Sequence, residues 1–341
     1  MTKSSVNSLD LLKLVMSFGI VAIHSRFLNA YIYPTVRLAV PAFFVLTGYF
    51  AFSKIDAAQC GEKQGQIVKA IIKRNFLLYG SWTLLLFPAI YYMRGFYAQG
   101  WTKGIPAMLV NCLRGVSFTG SWYLLACMIA LGIVFVLSRY FDNWHLILVS
   151  MPFYVFATLC SELPEVVFGI PLLNQISEIH GAVFGAPCLS FPIAVLYIAL
   201  GKYMVRKETG KRKKEYYFVK FLLCYFLLHC EFFFVENNIT SAVKRDCYFM
   251  LAPTAYFLVM FIQSIRIQVP YAREMRKTST IIYCSHGVVL AAVGKIITMF
   301  YVPDVLNIWL FSGTIGACLL LSAFLIGLEK RVGFRFIKYL Y

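Results

Sequence analysis

Ten stretches of this chain are apolar over lengths near the hydrocarbon thickness of a bilayer. They are 9–27, 39–53, 75–93, 120–138, 144–161, 187–205, 216–234, 247–265, 278–300 and 307–328. A helix needs about 20 mainly apolar residues to cross that thickness. The second run is short unless it extends into its flanks. Of the whole chain, 60% is apolar and only 14% charged, and a soluble domain of 341 residues would need far more polar surface over its core. The expected fold class is therefore all-α: a polytopic membrane helical bundle of about ten transmembrane helices. No linker is long or polar enough to mark a second domain, so residues 1–341 read as one. No small-residue cleavage site follows the first run, which reads as a retained span. The half-apolar stretch 104–118 reads as a re-entrant or interfacial piece, and 162–186 as an outer loop lying on the surface or over an opening.

The formal charge is +17, which suggests nucleic acid until the charges are placed. With the N-terminus inside, the alternate segments 1–8, 54–74, 139–143, 202–215, 266–277 and 329–341, together with Lys220, hold 23 of the 32 basic residues. That is the positive-inside pattern. It puts both termini in the cytoplasm and makes anionic lipid, not nucleic acid, the partner of the charge. The run "KYMVRKETGKRKK" at 202–214 alone carries seven. The ten cysteines are scattered, with no CxxC pair, and read as small core residues; no metal site is expected.

The first span, "LDLLKLVMSFGIVAIHS" (9–25), contains Asp10, Lys13 and His24. Eleven residues of helix make three turns plus about 20°, so Lys13 and His24 fall on one stripe about 16 Å apart. Asp10 shares that face and can pair with Lys13. Ionisable groups inside a span line a cavity or pathway, although Asp10 and Lys13 can also snorkel to the interface and His24 can be a packing residue.

Several motifs in order along the chain resemble the acyltransferase-3 family of integral membrane enzymes. They are "LDLLKLVMSFGIVAIHS", "FFVLTG" (43–48), "GSWYLLACMIA" (120–130), "LSFPIAVLYIALGKYM" (189–204) and "TSTIIYCSHGVVL" (278–290). That family typically has an arginine eleven positions before the first-helix histidine. Lys13 stands there in this chain and lacks the planar bidentate fork. Thr47 stands where the family often has serine.

The resemblance implies transfer of an acyl group, often acetyl, from cytoplasmic acyl-coenzyme A to a hydroxyl of a glycan or polysaccharide of the cell envelope, in the plasma (inner) membrane. A sugar hydroxyl needs a base, and imidazole suits that task near neutral pH. His24 is assigned as the base, Lys13 as the group that stabilises negative charge or holds the donor, and Asp10 as the group that holds Lys13. Lys69, Lys73 and Arg74 are candidates for the coenzyme A phosphates, or ordinary inner-loop charge. Arg37, Trp122, Tyr123 and His286 are candidates for the acceptor side. Trp122 and Tyr123 read equally as aromatic-belt anchors, and His286 as a hydrogen-bonded core histidine. Glu231 and Glu236, with Lys244 and Arg245 after them, read as an outer vestibule or as pairs.

There is no GxxxxGK[ST], HExxH, GxSxG or GxGxxG, which argues against an ATP-driven pump and a serine hydrolase. The remaining alternative is a small-solute transporter, such as an amino-acid carrier. A chain of this kind is similar to the membrane module of serine racemases.

Overall fold

In the computed structural model of the protein, residues 7–29, 31–58, 60–206, 213–239, 246–265, 267–300, 306–332 and 335–341 are described. The fold is 85% helical, with no strand among the described residues. In chain order the helices are α1 (Asn7–Ser25), α2 (Tyr33–Arg37), α3 (Ala39–Ile55), α4 (Gly61–Leu85), α5 (Phe87–Met93), α6 (Gly100–Leu113), α7 (Trp122–Leu137) and α8 (Asn143–Glu162). They continue with α9 (Pro164–Gly169), α10 (Pro171–Phe184), α11 (Phe191–Arg206), α12 (Lys214–Asn238), α13 (Leu251–Ile265), α14 (Ala272–Phe300) and α15 (Leu306–Val332).

Each apolar run is largely helical, though 75–93 is divided between α4 and α5 and 187–205 opens with a short turn before α11. Six candidate spans are long and apolar enough to cross a membrane, or up to eight if each bent pair is one span: α4 with α5, bent by 66°, and the segment 171–189 with α11, bent by 47°. The runs at 120–138 and 247–265 form the shorter helices α7 and α13. Proline accounts for one break: Pro88 near the start of α5 cannot supply the amide that would continue α4. The half-apolar stretch is α6, 14 residues long and too short to span; the outer loop 162–186 folds into α9 and α10.

The chain sorts into two compact units, each assembled from discontinuous segments. The first takes 1–9, 40–73 and 125–267; the second takes 10–39, 74–124 and 268–341. In the first unit, α3 crosses α11 backbone to backbone. A Cβ on Gly48 would sit 2.4 Å from the Ile198 carbonyl oxygen, and one on Gly201 would sit 2.3 Å from that of Val45. Small residues are what allow helices to approach this closely in a membrane. Two motifs far apart in sequence, "FFVLTG" and the Leu-Gly near the end of α11, are thus two sides of one crossing. The Thr47 hydroxyl donates within its own helix to the Phe43 carbonyl at 2.8 Å. Beyond the crossing, Lys202 Nζ donates to both Asp56 oxygens at 3.1 and 3.3 Å and lies 4.6 Å above the Phe52 ring.

In the second unit, α1 packs on α14 and α15 through Val21, Ile282 and Cys318, with Phe18, Val289 and Phe311 around them. The other end of α14 is joined to α15 by Lys277–Glu329 at 2.5 Å and Lys330–Glu274 at 3.2 Å. The chain terminus is held by Trp82 Nε1, which donates to the Leu340 carbonyl at 3.0 Å. All ten cysteines are free thiols.

Gly201→Ala forces α3 and α11 apart. It is expected to lower stability by about 1–3 kcal/mol, the usual cost of overpacking, read as a drop in melting midpoint of the detergent-solubilised protein. Gly132→Ala, with open space around its Cα, leaves the midpoint unchanged.

Candidate active site

The second unit brings the ionisable face of α1 against α14 at two levels. At the start of α1, Asp10 is fully buried. Arg276, in the second turn of α14, donates to it through both arms: Nε to Oδ1 at 2.9 Å and Nη2 to Oδ2 at 2.7 Å. This is the bidentate geometry that a guanidinium provides and an ammonium cannot. The sequence reading pairs Asp10 with Lys13; Arg276, from another helix, engages both carboxylate oxygens as well. Lys13 is half-buried and lies within electrostatic range of Asp10, Arg276 and Arg74. One carboxylate thus stands among three cations, and the cluster keeps a positive balance near the starts of α1 and α14.

At the other end of α1, His24 is exposed and His286 of α14 is fully buried. Their ring centroids are 5.0 Å apart at 35°. Asp10 meets Arg276 and His24 meets His286, so residue numbers rise together along both helices. The two helices therefore run parallel, as the positive-inside reading requires of helices that both start in the cytoplasm.

His286 Nδ1 lies 2.6 Å from the Tyr283 carbonyl oxygen. A carbonyl only accepts, so Nδ1 carries the hydrogen and Nε2 of the neutral ring keeps its lone pair. That Nε2 is buried and has no hydrogen-bond partner among the described residues. Tyr283 is fixed in turn: its hydroxyl donates to the Gly120 carbonyl at 2.8 Å, and its ring lies 5.2 Å from that of Tyr123.

Glycine is required at position 120. Its φ is +84°, and a Cβ there would lie 3.1 Å from the Tyr283 hydroxyl and 3.5 Å from His286 Cε1. Gly287 is equally constrained, since a Cβ would lie 2.4 Å from Thr119 Oγ1. The loop "TGS" at 119–121 and the helical "SHG" at 285–287 therefore interlock. Ser121 braces this loop by donating to the Gly115 carbonyl at 2.6 Å.

The other predicted residues fall as follows. Tyr123 is buried beside Tyr283, and Trp122 is partly buried at the start of α7. Arg37 donates to the Tyr33 hydroxyl and stacks 4.5 Å above that ring. Arg74 is exposed and belongs to this unit; Lys69 and Lys73 are exposed on α4 and belong to the other. Glu231 is likewise in the other unit, where its carboxylate accepts from the amides of Phe249 and Met250. Lys244 and Arg245 lie outside the described residues. Arg276 and Gly120 were not singled out from sequence, whereas Tyr283 falls in the quoted stretch 278–290. The available signal for Arg276 was Asp10 itself, since a carboxylate inside a span needs a cation. Among the described residues, no group of three or more metal-ligating side chains gathers.

An aligned imidazole pair and a cation cluster at opposite ends of one helix can be compared with known proteins. The acyltransferase 3 family, described as an acyltransferase domain, matches residues 6–327. The chain belongs to that family. By that membership and by its apolar helices it is a multi-pass membrane protein. A relative, the amino-acid racemase of Enterococcus faecalis, is 23% identical over 346 residues, covering 97% of this chain and 47% of that one. The chain thus spans about half the length of that curated relative. No solved structure matches.

Arg276→Ala strips the fully buried Asp10 of its fork. Breaking a buried pair costs about 3–5 kcal/mol, and the half-exposure of Arg276 puts the expected loss at or below the low end. Arg276→Lys recovers only part of it. Thermal midpoints of the three proteins check both statements. Gly120→Ala is expected to lower activity at least tenfold by displacing Tyr283 and His286. An unchanged turnover in a folded Gly120→Ala protein would contradict the interlock.

Proposed function

We propose that the protein is an O-acyltransferase of the plasma membrane. It moves an acyl group, acetyl in the simplest case, from acyl-coenzyme A on the cytoplasmic side to a hydroxyl of an envelope glycan or polysaccharide. The observation that carries this reading is the pair of histidines. His24 is the ring a substrate can reach, and the buried His286 stands behind it with a fixed tautomer. His24 takes the proton of the acceptor hydroxyl as that oxygen attacks the thioester carbonyl. The carbon–oxygen bond forms, the carbon–sulfur bond breaks, and the proton passes to the departing thiolate. The neutral His286 ring, with its centroid 5.0 Å from that of His24, is a polar neighbour that favours the imidazolium forming on His24 in the transition state.

The cation cluster of Lys13, Arg74 and Arg276 suits the donor. Coenzyme A carries several phosphates, and the cluster gathers near the starts of α1 and α14, on the side read as inner. On a straight helix Lys13 and His24 are about 16 Å apart, so Lys13 holds the donor and does not share a reacting atom with His24. Lys69 and Lys73 lie in the first unit and are not part of this cluster. Arg37, Trp122 and Tyr123 are assigned to the acceptor.

A second reading, that the protein carries a small solute such as an amino acid, is favoured by the relative named for amino-acid racemisation, about half of whose length this chain matches. Membranes with labelled acetyl-coenzyme A separate the two. His24→Ala is expected to lose about 10²–10⁴-fold in transfer, the scale of general-base catalysis, while Glu236→Gln retains it. Uptake of an amino acid without coenzyme A dependence, and no transfer of label, would favour the carrier.

A further inference from the structure

The first unit contains an apolar cleft of about 580 Å³ that the reaction does not use. It lies among α8, α11, α12 and α13, and Trp144, Met151, Tyr203, Tyr216, Ala252 and Tyr256 are in its walls. Its volume is that of a site for a small organic molecule. Its polar atoms are few. At its inner wall the Tyr154 hydroxyl is already committed, 2.7 Å from the Tyr248 carbonyl oxygen and 3.1 Å from the Tyr197 hydroxyl. Nothing in that lining asks for a polar ligand.

The dimensions and ends of the cleft identify its occupant. Along α8 it runs from Trp144, the second residue of the helix, to Val155. Eleven residues cover about 16 Å, close to half of a hydrocarbon core about 30 Å thick, which is the depth of one leaflet. The start of α8 is the cytoplasmic end. Trp144 and Tyr216 are exposed at that rim, where aromatic rings favour the interface. The start of α12 adds exposed Lys213 and Lys214 and has no side-chain cap on its amides; exposed Arg139 precedes α8. Of the acids there, Asp142 is occupied by capping the amides of Trp144 and His145, leaving Glu215 exposed against three cations.

We propose that the cleft is a site for one anionic phospholipid of the inner leaflet. Its acyl chain lies along α8, and its phosphate meets Lys213, Lys214 and the first amides of α12. Native mass spectrometry of the full-length protein in detergent, incubated with dioleoyl phosphatidylglycerol, dioleoyl phosphatidylcholine or undecaprenyl phosphate, tests this. The expected result is one retained phosphatidylglycerol per chain, with at least tenfold less retained by Ala252→Phe. The preference over phosphatidylcholine is lost in Lys213→Gln/Lys214→Gln. Met151→Phe narrows the cleft from an exposed wall and gives the same readout if Ala252→Phe does not fold. Equal retention by wild type and both filled variants, equal retention of phosphatidylcholine, or displacement of phosphatidylglycerol by undecaprenyl phosphate overturns the assignment.

Discussion

A fully buried carboxylate in the first span is the constraint from which the second unit follows. Asp10 cannot stay charged in an apolar setting without a partner that uses both oxygens, and Arg276 does so. That pairing sets the register of α14 against α1. Once the starts are locked, the parallel course of the two helices brings His24 to His286 about 20 Å further along α1. The two histidines are adjacent because of an ion pair at the opposite end of the helix. The lysine in the usual arginine position sits next to a guanidinium from another helix, so the cluster keeps a forked cation although the first span does not supply it.

Both units combine close approach with polar contacts, in different proportion. In a bilayer, apolar side chains gain little by leaving lipid for protein, so packing and polar contacts must hold helices together. The first unit relies on closeness, with Gly48 and Gly201 allowing backbones to touch. The second relies on fixed polar contacts: a carboxylate–guanidinium fork, a tyrosine hydroxyl on a carbonyl, and a histidine on a carbonyl. The second kind of contact is directional. It suits the unit that must hold an imidazole in one tautomer.

Much of the fold was legible in the sequence because apolar length and inner-loop charge are strong local signals. The apolar runs are helical along most of their length, and α1 carries Lys13 toward Arg276 and His24 toward His286, both on α14. The boundaries that failed to show were bends: α4 with α5 reads as one span by composition, while Pro88 breaks it. The partner of Asp10 was not legible. Lys13 was near in sequence and Arg276 was 266 positions away, amid inner-loop charge where one arginine looks like another. His286 was noticed because an imidazole is costly in hydrocarbon, but its neighbour Gly120 gave no signal. A glycine needed for a positive φ against a tyrosine 163 residues on cannot be told from an ordinary loop glycine until the chain is folded.

The contact between the two imidazoles is the centre of this account, and it can be observed without altering the protein. Magic-angle-spinning NMR of the chain in lipid bilayers, with ¹³C in its five histidines, should show a ring-to-ring cross-peak consistent with centroids 5.0 Å apart. The peak should vanish in His24→Gln and in His286→Gln and persist in His145→Gln. A spectrum with no such cross-peak, or with one that survives loss of either ring, would contradict the account.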